Sequence, residues 1–192
     1  MLSRVTDPVV ASKAELRRRM RLVRDIVEDR VLRSVSLWAA VAATEAYEGA
    51  STVMAFVAVD GEPDTDSLFA RLTRDGKTLV LPALVDDVIV PKLVGAGLVA
   101  GPFGVPTPQG EAVPFRALDL VIVPGLAFTG AGDRLGRGGG HYDRFLASLP
   151  EACPTIGVCF TEQLVDDLPL ESHDRPVGEV VTDPPTEPSS DL

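Results

Sequence analysis

The sequence predicts an α/β fold: a single domain with a mostly parallel sheet flanked by helices on both faces, in a Rossmann-like three-layer arrangement. Short aliphatic runs alternate with stretches of helical periodicity along the 192 residues. Each run is continuously apolar, which is typical of strands buried on both faces. Hydrophobic residues make up 45% of the chain and aromatic residues 5%, so we expect an aliphatic core. We place the domain at residues 1–183 and a disordered acidic tail at 184–192.

The elements follow in order along the chain. A first helix is expected from Ser12 to Glu28, where Ser12 and Glu15 form a capping-box pattern ahead of an apolar stripe. Loops are predicted in two places: at residues 95–114, which are rich in glycine and proline, and at residues 124–140. Ligands bind at the carboxyl ends of parallel strands, which directs attention to the loops after Val59, Val123 and Phe160. We expect further helices at residues 37–47, 64–74 and 141–149, and strands at 52–59, 78–81, 89–93, 118–123, 155–160 and 177–181.

Composition narrows the class of partner. The net charge of −10 argues against nucleic-acid binding, because a phosphate backbone calls for a basic surface. No run of about 18 apolar residues occurs, and the N-terminus lacks the pattern of a secretory signal. Cys153 and Cys159 are too few for a disulfide framework. We therefore expect a cytoplasmic protein that acts on small molecules and has no nucleic-acid or membrane partner. A monomer is also expected, although none of these features bears on the oligomeric state.

Positive charge is concentrated near the N-terminus. Residues 1–33 contain nine of the 18 basic residues and five of the 28 acidic ones. A local basic cluster in an acidic protein suits a small anionic ligand, and a solvated helix face is the alternative.

The segment after the strand at 118–123 is the most informative part of the sequence. It reads PGLAFTGAGDRLGRGGGHYDRFL and leads into a predicted helix. Glycines let backbone N–H groups approach a phosphate, and a helix N-terminus adds a favourable dipole. Arg134 and Arg137 can donate charge-assisted hydrogen bonds, and Asp143 in the first helical turn can hold Mg²⁺. The segment lacks the Walker pattern and a complete dinucleotide fingerprint, so neither motif identifies it as a phosphate-binding loop. The alternative interpretation is a flexible surface loop.

These residues resemble the 5-formyltetrahydrofolate cyclo-ligase family. RLGRGGGHYDRFL matches the signature of that family, and the preceding LDLVIVPGLAFTGAGD resembles its strand and loop. The resemblance continues through GVCFTEQLVDDLPLESHD at 157–174 and VVTD near the end. It also includes the helix that carries Lys13 and Arg17 and the GEPDT segment at 61–65. Together these segments, which stand in the family's order, extend the resemblance over about residues 12–183.

The resemblance implies roles for particular residues. Glu62 would bind the donors of the pterin ring, and Val57 would contact the substrate, with core packing as its alternative. Asp143 and Asp174 would be the magnesium-associated acids. The alternative for Asp174 is an acidic loop residue that binds no ligand. ATP would be bound by a pair of cations one helical turn apart and by the glycine-rich run: Lys13, Arg17, Arg134, Leu135, Gly136, Arg137, Gly138, Gly139, Gly140, His141 and Tyr142.

The implied reaction is the ATP- and Mg²⁺-dependent closure of 5-formyltetrahydrofolate to 5,10-methenyltetrahydrofolate, with release of ADP and phosphate. The formyl oxygen would attack the γ-phosphate of ATP, and N10 would then attack the activated carbon as phosphate leaves. No side-chain nucleophile is required, because the protein positions the reactants and neutralises charge. Two alternatives stay open: a folate-binding homologue without turnover, and another nucleotide or sugar-phosphate enzyme of similar α/β architecture.

The chain departs from the family pattern at four positions. Gly139 and His141 stand where some members carry Lys and Tyr, so one phosphate-binding cation is expected to be missing. Ala83 stands where relatives often have Arg, which puts one anion contact in doubt. Gly178 replaces a frequent acid.

Overall fold

The computed structural model describes residues 8–184, so the predicted tail lies outside the described residues apart from Pro184. No helix in this part of the chain is long and apolar enough to cross a membrane. The helices are α1 (Pro8–Asp25), α2 (Arg30–Ala42), α3 (Glu45–Gly49), α4 (Asp66–Arg74) and α5 (His141–Ser148). The strands are β1 (Thr52–Met54), β2 (Thr78–Val85), β3 (Val88–Leu93), β4 (Leu98–Val99), β5 (Thr107–Pro108), β6 (Leu120–Pro124), β7 (Ala127–Thr129), β8 (Arg134–Leu135), β9 (Thr155–Cys159), β10 (Leu164–Val165) and β11 (Glu179–Thr182).

A six-stranded sheet forms the centre of the fold. Its strand order is β11-β9-β6-β1-β2-β3, and every neighbouring pair is parallel except the hairpin of β2 and β3. That hairpin turns at Asp86 and Asp87, which have φ values of 47° and 67°. Positive φ at both central residues gives a two-residue turn whose twist matches that of the strands. The mostly parallel α/β fold predicted from the sequence is confirmed.

Helices cover both faces of this sheet. On one face, Ile122 of β6 belongs to a buried cluster with Trp38 of α2 and Leu72 of α4. On the other face, Val121 of the same strand packs in a cluster with Phe145 of α5. Neighbouring residues of a strand point to opposite faces, so the continuous apolar run of β6 serves both clusters. The result is the predicted three-layer arrangement.

A smaller sheet takes two of its three strands, β7 and β8, from the segment that was predicted to be a loop, and the third, β10, from the residues after β9. Its order is β10-β7-β8, and Ala127 of β7 and Leu135 of β8 lie in one buried cluster with Met20 of α1. The fully buried ring of Phe128 in β7 lies between Gly125 and Gly157, and a side chain at either glycine would overlap the ring. The loop prediction for residues 124–140 was therefore wrong over β7 and β8, because strands of two or three residues are too short to show a period.

Other predicted boundaries were also wrong. The strand predicted at 78–81 continues to Val85, and the loop predicted at 95–114 contains the short paired strands β4 and β5. The first helix begins at Pro8, so Ser12 lies in its second turn and is not an N-cap. The helix predicted at 37–47 is two helices, since α2 ends at Ala42 and the side chain of Thr44 accepts a hydrogen bond from the Tyr47 backbone and caps α3. The strand predicted at 52–59 is paired only as far as Met54.

Candidate active site

A cleft of about 970 Å³ opens at the carboxyl edge of the parallel strands. All fifteen residues singled out from the sequence line this cleft. They come from α1, the loop after β1, the run from β8 into α5, and the segment before β11. The volume lies at the upper end of the range for small-molecule sites, which is roughly 300–1,000 Å³. The fold therefore brings all the predicted site segments to one place.

The glycine-rich run between β8 and α5 forms one wall of the cleft. Gly138 and Gly140 have φ values of 108° and 65°, which residues with a side chain rarely adopt, and Gly140 is the N-cap of α5. Arg17 holds this wall from α1: its Nε donates to the carbonyl oxygen of Gly136 at 3.0 Å, and its guanidinium lies against Gly138. The loop thus combines a backbone shape that needs glycine with an adjacent positive charge.

Arg134 lies beneath this wall. Its Nη2 donates to Asp143 Oδ1 at 3.0 Å, and its guanidinium is 5.5 Å from the centre of the Tyr142 ring. Arg134 Nε and the Tyr142 hydroxyl are buried without a hydrogen-bond partner among the described residues. Burial also raises the pKa of Tyr142, so the hydroxyl stays protonated. Buried polar groups without partners are uncommon in native proteins and call for an explanation such as a ligand.

Lys13 forms a charged cluster with two acids. It is only 4% exposed, and its Nζ donates to Glu171 Oε2 and Asp174 Oδ2, each at 2.6 Å. Burial lowers the pKa of Lys13, but the hydrogen bonds and charges of Asp174 and Glu171 outweigh burial and hold the pKa above its usual value. Burial opposes ionisation of Asp174, yet its hydrogen bonds from Lys13 and from the Glu171 backbone hold the pKa of Asp174 below its usual value. The cluster carries one net negative charge.

Glu62 is a buried carboxylate set between two guanidinium groups. Arg137 Nη2 donates to Glu62 Oε1 at 2.9 Å, and Arg24 Nη1 lies 3.7 Å from the same oxygen. Glu62 Oε2 accepts the backbone N–H of Val59 at 3.2 Å. Burial raises the pKa of Glu62, and the positive charges of Arg137 and Arg24 oppose that rise.

The far wall of the cleft is apolar. It is lined by Phe56 after β1, by Pro82, Leu84 and Ile89 of the β2–β3 hairpin, and by Val105. Val57 is partly buried, packs against the core and also lines the cleft, so its two proposed roles do not exclude each other. No local pattern in the sequence separates these residues from ordinary core positions.

Three charged residues of the cleft were missed by sequence reasoning: Glu171, Arg144 and Arg175. Arg144 donates through Nη1 to the carbonyl of Gly139 at 3.1 Å and through Nη2 to that of Asp87 at 3.0 Å. The backbone N–H of Arg175 lies 3.4 Å from Asp143 Oδ1. Arg144 could have been found, because it lies one helical turn after Gly140 at the start of α5 and so faces the glycine loop.

These features define the class of protein: an α/β enzyme fold whose cleft joins a glycine-rich loop at a helix start to an apolar wall with a buried carboxylate. Residues 9–183 match the model of the 5-formyltetrahydrofolate cyclo-ligase family.

The cyclo-ligase of Mycolicibacterium smegmatis is 34% identical over 141 residues, covering 68% of this chain and 73% of that relative. The cyclo-ligase of Escherichia coli strain K12 is 35% identical over 147 residues, covering 69% of this chain and 78% of that relative. The solved structure of 5,10-methenyltetrahydrofolate synthetase from Aquifex aeolicus superposes with a TM-score of 0.80 at 31% identity, over 89% of each chain. This chain belongs to the 5-formyltetrahydrofolate cyclo-ligase family.

Proposed function

We propose that this protein uses ATP to close 5-formyltetrahydrofolate to 5,10-methenyltetrahydrofolate, with release of ADP and phosphate. The observation that carries the proposal is one cleft in which the glycine loop, the buried carboxylate of Glu62 and the apolar wall all face the same volume. Membership of the cyclo-ligase family supports it, since the relatives' names state both the substrate and the product.

ATP is assigned to the side of the cleft formed by α1 and the glycine loop. Arg17 already lies against Gly138, so its guanidinium can reach phosphates cradled by the backbone N–H groups of the loop. Lys13 is one turn before Arg17 on α1 and lies in the same cleft. The remaining loop residues, from Arg134 to Tyr142, are assigned to the nucleotide through their backbone and through the charges of Arg134 and Arg137.

The folate is assigned to Glu62 and the apolar wall. A carboxylate accepts two hydrogen bonds side by side, which suits the adjacent N–H donors of a pterin ring. Phe56, Val57 and Leu84 offer apolar surface to the flat ring. The formyl group of a folate held in this way lies between Glu62 and the glycine loop, where a phosphate can reach it.

The carboxylates of Asp143 and Asp174 fit a hard divalent cation. Asp143 accepts hydrogen bonds through Oδ1, and Asp174 accepts them through Oδ2. In the part of the chain that the structure describes, the second oxygen of each carboxylate makes no hydrogen bond. Carboxylate oxygens are the ligands that Mg²⁺ prefers, and Mg²⁺ bound to these two acids would neutralise charge on the phosphates.

The reaction proceeds in two steps in this proposal. The formyl oxygen attacks the γ-phosphorus of ATP, a P–O bond forms, and ADP leaves. The N10 lone pair then attacks the formyl carbon, the carbon–oxygen bond breaks, phosphate leaves with that oxygen, and the N10 proton is released. Arg17 and Arg137 place positive charge near the transferring phosphoryl group, Lys13 holds Glu171 and Asp174 at the edge of the same cleft, and Glu62 fixes the pterin so that N10 faces the carbon.

The deciding experiment uses the purified protein with 5-formyltetrahydrofolate, with and without ATP and Mg²⁺. The methenyl chromophore should appear only with ATP, with one ADP released for each ring closed. Binding of the folate without turnover would establish the non-catalytic alternative. Consumption of ATP without the chromophore would point to a different nucleotide-dependent reaction.

Location and assembly stay predictions of the sequence. A cytoplasmic location is expected, which fractionation of cells that express the protein would test. A monomer is expected, which light scattering of the purified protein would test.

A further inference from the structure

One side chain connects the two halves of the cleft. Arg137 belongs to the glycine loop, yet its guanidinium reaches the loop after β1. Its Nη1 donates to Asp60 Oδ2 at 2.6 Å, and its Nη2 donates to Glu62 Oε1 at 2.9 Å and to the carbonyl of Val59 at 3.2 Å. A residue assigned to the phosphates therefore caps the carboxylate that is assigned to the folate.

The two cations beside Glu62 differ in their freedom to move. Arg24 on α1 is 2% exposed and packed in the interior, so it stays beside Glu62. The Arg137 side chain is 41% exposed and leaves from a loop rich in glycine, where backbone freedom is greatest. If Arg137 moves away, Arg24 still compensates the charge of Glu62.

The oxygen atoms of Glu62 are also not equivalent. Oε2 accepts the backbone N–H of Val59, which fixes the carboxylate against its own loop. Oε1 is the oxygen bound by Arg137. A ligand N–H that approaches Oε1 from the cleft competes with the Arg137 guanidinium for that oxygen.

We propose that Arg137 couples the binding of the two substrates by exchanging partners. It leaves Glu62 for the phosphates of the nucleotide, and this exchange frees Oε1 for the N–H donors of the pterin. The inference rests on the proposed function. Either ligand alone must break the same ion pair, whereas the second ligand to bind finds it already broken. The two substrates therefore bind with positive cooperativity, and the factor is the same in both directions because binding free energies are linked.

The test is a set of calorimetric titrations with 5-formyltetrahydrofolate and with a non-hydrolysable ATP analogue plus Mg²⁺, each alone and in the presence of the other. For the parent protein, each ligand should tighten the other by about tenfold, within the usual range of allosteric coupling. In Arg137→Gln, which removes the charge and leaves a shorter polar side chain, the folate alone should bind more tightly than to the parent. The nucleotide alone should bind more weakly, and the coupling factor should fall to about one. A purely structural role for Arg137 would instead weaken both ligands together.

Two further variants sharpen the result. Asp60→Asn weakens the second anchor of Arg137 without touching Glu62, so it should reduce the coupling and strengthen both single-ligand affinities. Arg21→Gln is the matched control, because exposed Arg21 lines the same small 300 Å³ pocket as Arg24 and Arg137 and makes no ion pair with Glu62. Arg21→Gln should keep the parental coupling.

The outcomes separate the two proposals. A parent protein that binds both ligands independently, or an Arg137→Gln variant that retains the coupling, overturns the exchange and leaves the proposed function intact. A parent protein that fails to bind one of the ligands overturns the proposed function, and the coupling with it.

Discussion

Replacing Lys13 by alanine leaves two acids without the ammonium group that lies 2.6 Å from each of them. The Lys13 side chain is 6% exposed, and those of Glu171 and Asp174 are 30% and 15% exposed. Breaking a buried ion pair costs about 3–5 kcal/mol, while an exposed pair contributes about 0–1 kcal/mol. Because these acids are partly hydrated, we expect Lys13→Ala to lower the free energy of unfolding by about 2 kcal/mol.

Urea unfolding of the variant and parent measures this change. Arg18→Ala is the control, because Arg18 is paired with Glu15 on the same helix while both side chains are largely exposed, at 73% and 64%. That substitution should change the free energy of unfolding by less than about 0.5 kcal/mol. Kinetics provide a second readout: the Michaelis constant for ATP should rise about tenfold or more, since a charge-assisted hydrogen bond contributes about 1.5–3 kcal/mol.

In Lys13→Ala, the Michaelis constant for 5-formyltetrahydrofolate should change much less than the constant for ATP, because Glu62 is held by Arg137 and Arg24 and not by the Lys13 cluster. If Lys13→Ala and Arg18→Ala have the same stability and the same constant for ATP, the Lys13 cluster is neither a stabilising nor a nucleotide-binding feature. Loss of stability with an unchanged constant for ATP would limit Lys13 to a structural role.

Three further substitutions test other parts of the structure. Asp143→Asn should keep the fold but lower turnover by at least tenfold, since an amide holds Mg²⁺ poorly; a parental rate at saturating Mg²⁺ would contradict this. Gly157→Ala should destabilise the protein by about 1–3 kcal/mol in thermal or urea unfolding, because its methyl group overlaps the Phe128 ring, and Phe128→Leu should recover part of the loss. Hydrogen bonds from Arg33 hold the pKa of Glu162 in the folded protein below its usual value. The contribution of this ion pair to the free energy of unfolding is therefore fully present above the unfolded pKa of about 4.3, and it is lost as the pH falls through the lower folded pKa. Glu162→Gln should therefore be less stable than the parent by under about 1 kcal/mol at pH 7 and equally stable near pH 3; an equal difference at both pH values would refute the pairing.

The parts of the fold with long patterns were predictable from the sequence. The aliphatic run of β6 and the apolar stripe of α1 each specify one element, and the alternation of strands and helices specifies the mostly parallel sheet. The small sheet was not predictable in the same way. It depends on the ring of Phe128 fitting between Gly125 and Gly157, which are far apart in the sequence, so no local period reports it.

The residues of the cleft were easier to predict than their contacts. Arg134 and Arg137 were both expected to reach toward phosphates, and both line the cleft. In the structure Arg134 pairs with Asp143, and Arg137 pairs with Asp60 and Glu62. A sequence shows which residues are charged, but the choice of partner depends on burial and on distances between elements that only the folded chain sets.

Two of the departures from the family pattern, Gly139 and His141, are neighbours in the structure. A side chain at Gly139 would meet the His141 ring, since the nearest ring atom lies 2.6 Å from the place of a Cβ, so a larger residue at 139 requires that ring to move. Positive charge at this turn does not depend on a lysine at 139, because the Arg144 guanidinium lies against the Gly139 carbonyl and lines the cleft. Ala83 is buried, while its neighbours Pro82 and Leu84 line the cleft, so position 83 faces away from it in this chain. The cations of the cleft thus come from α1, the glycine loop and α5, and a substitution at one family position does not by itself remove the charge that a phosphate requires.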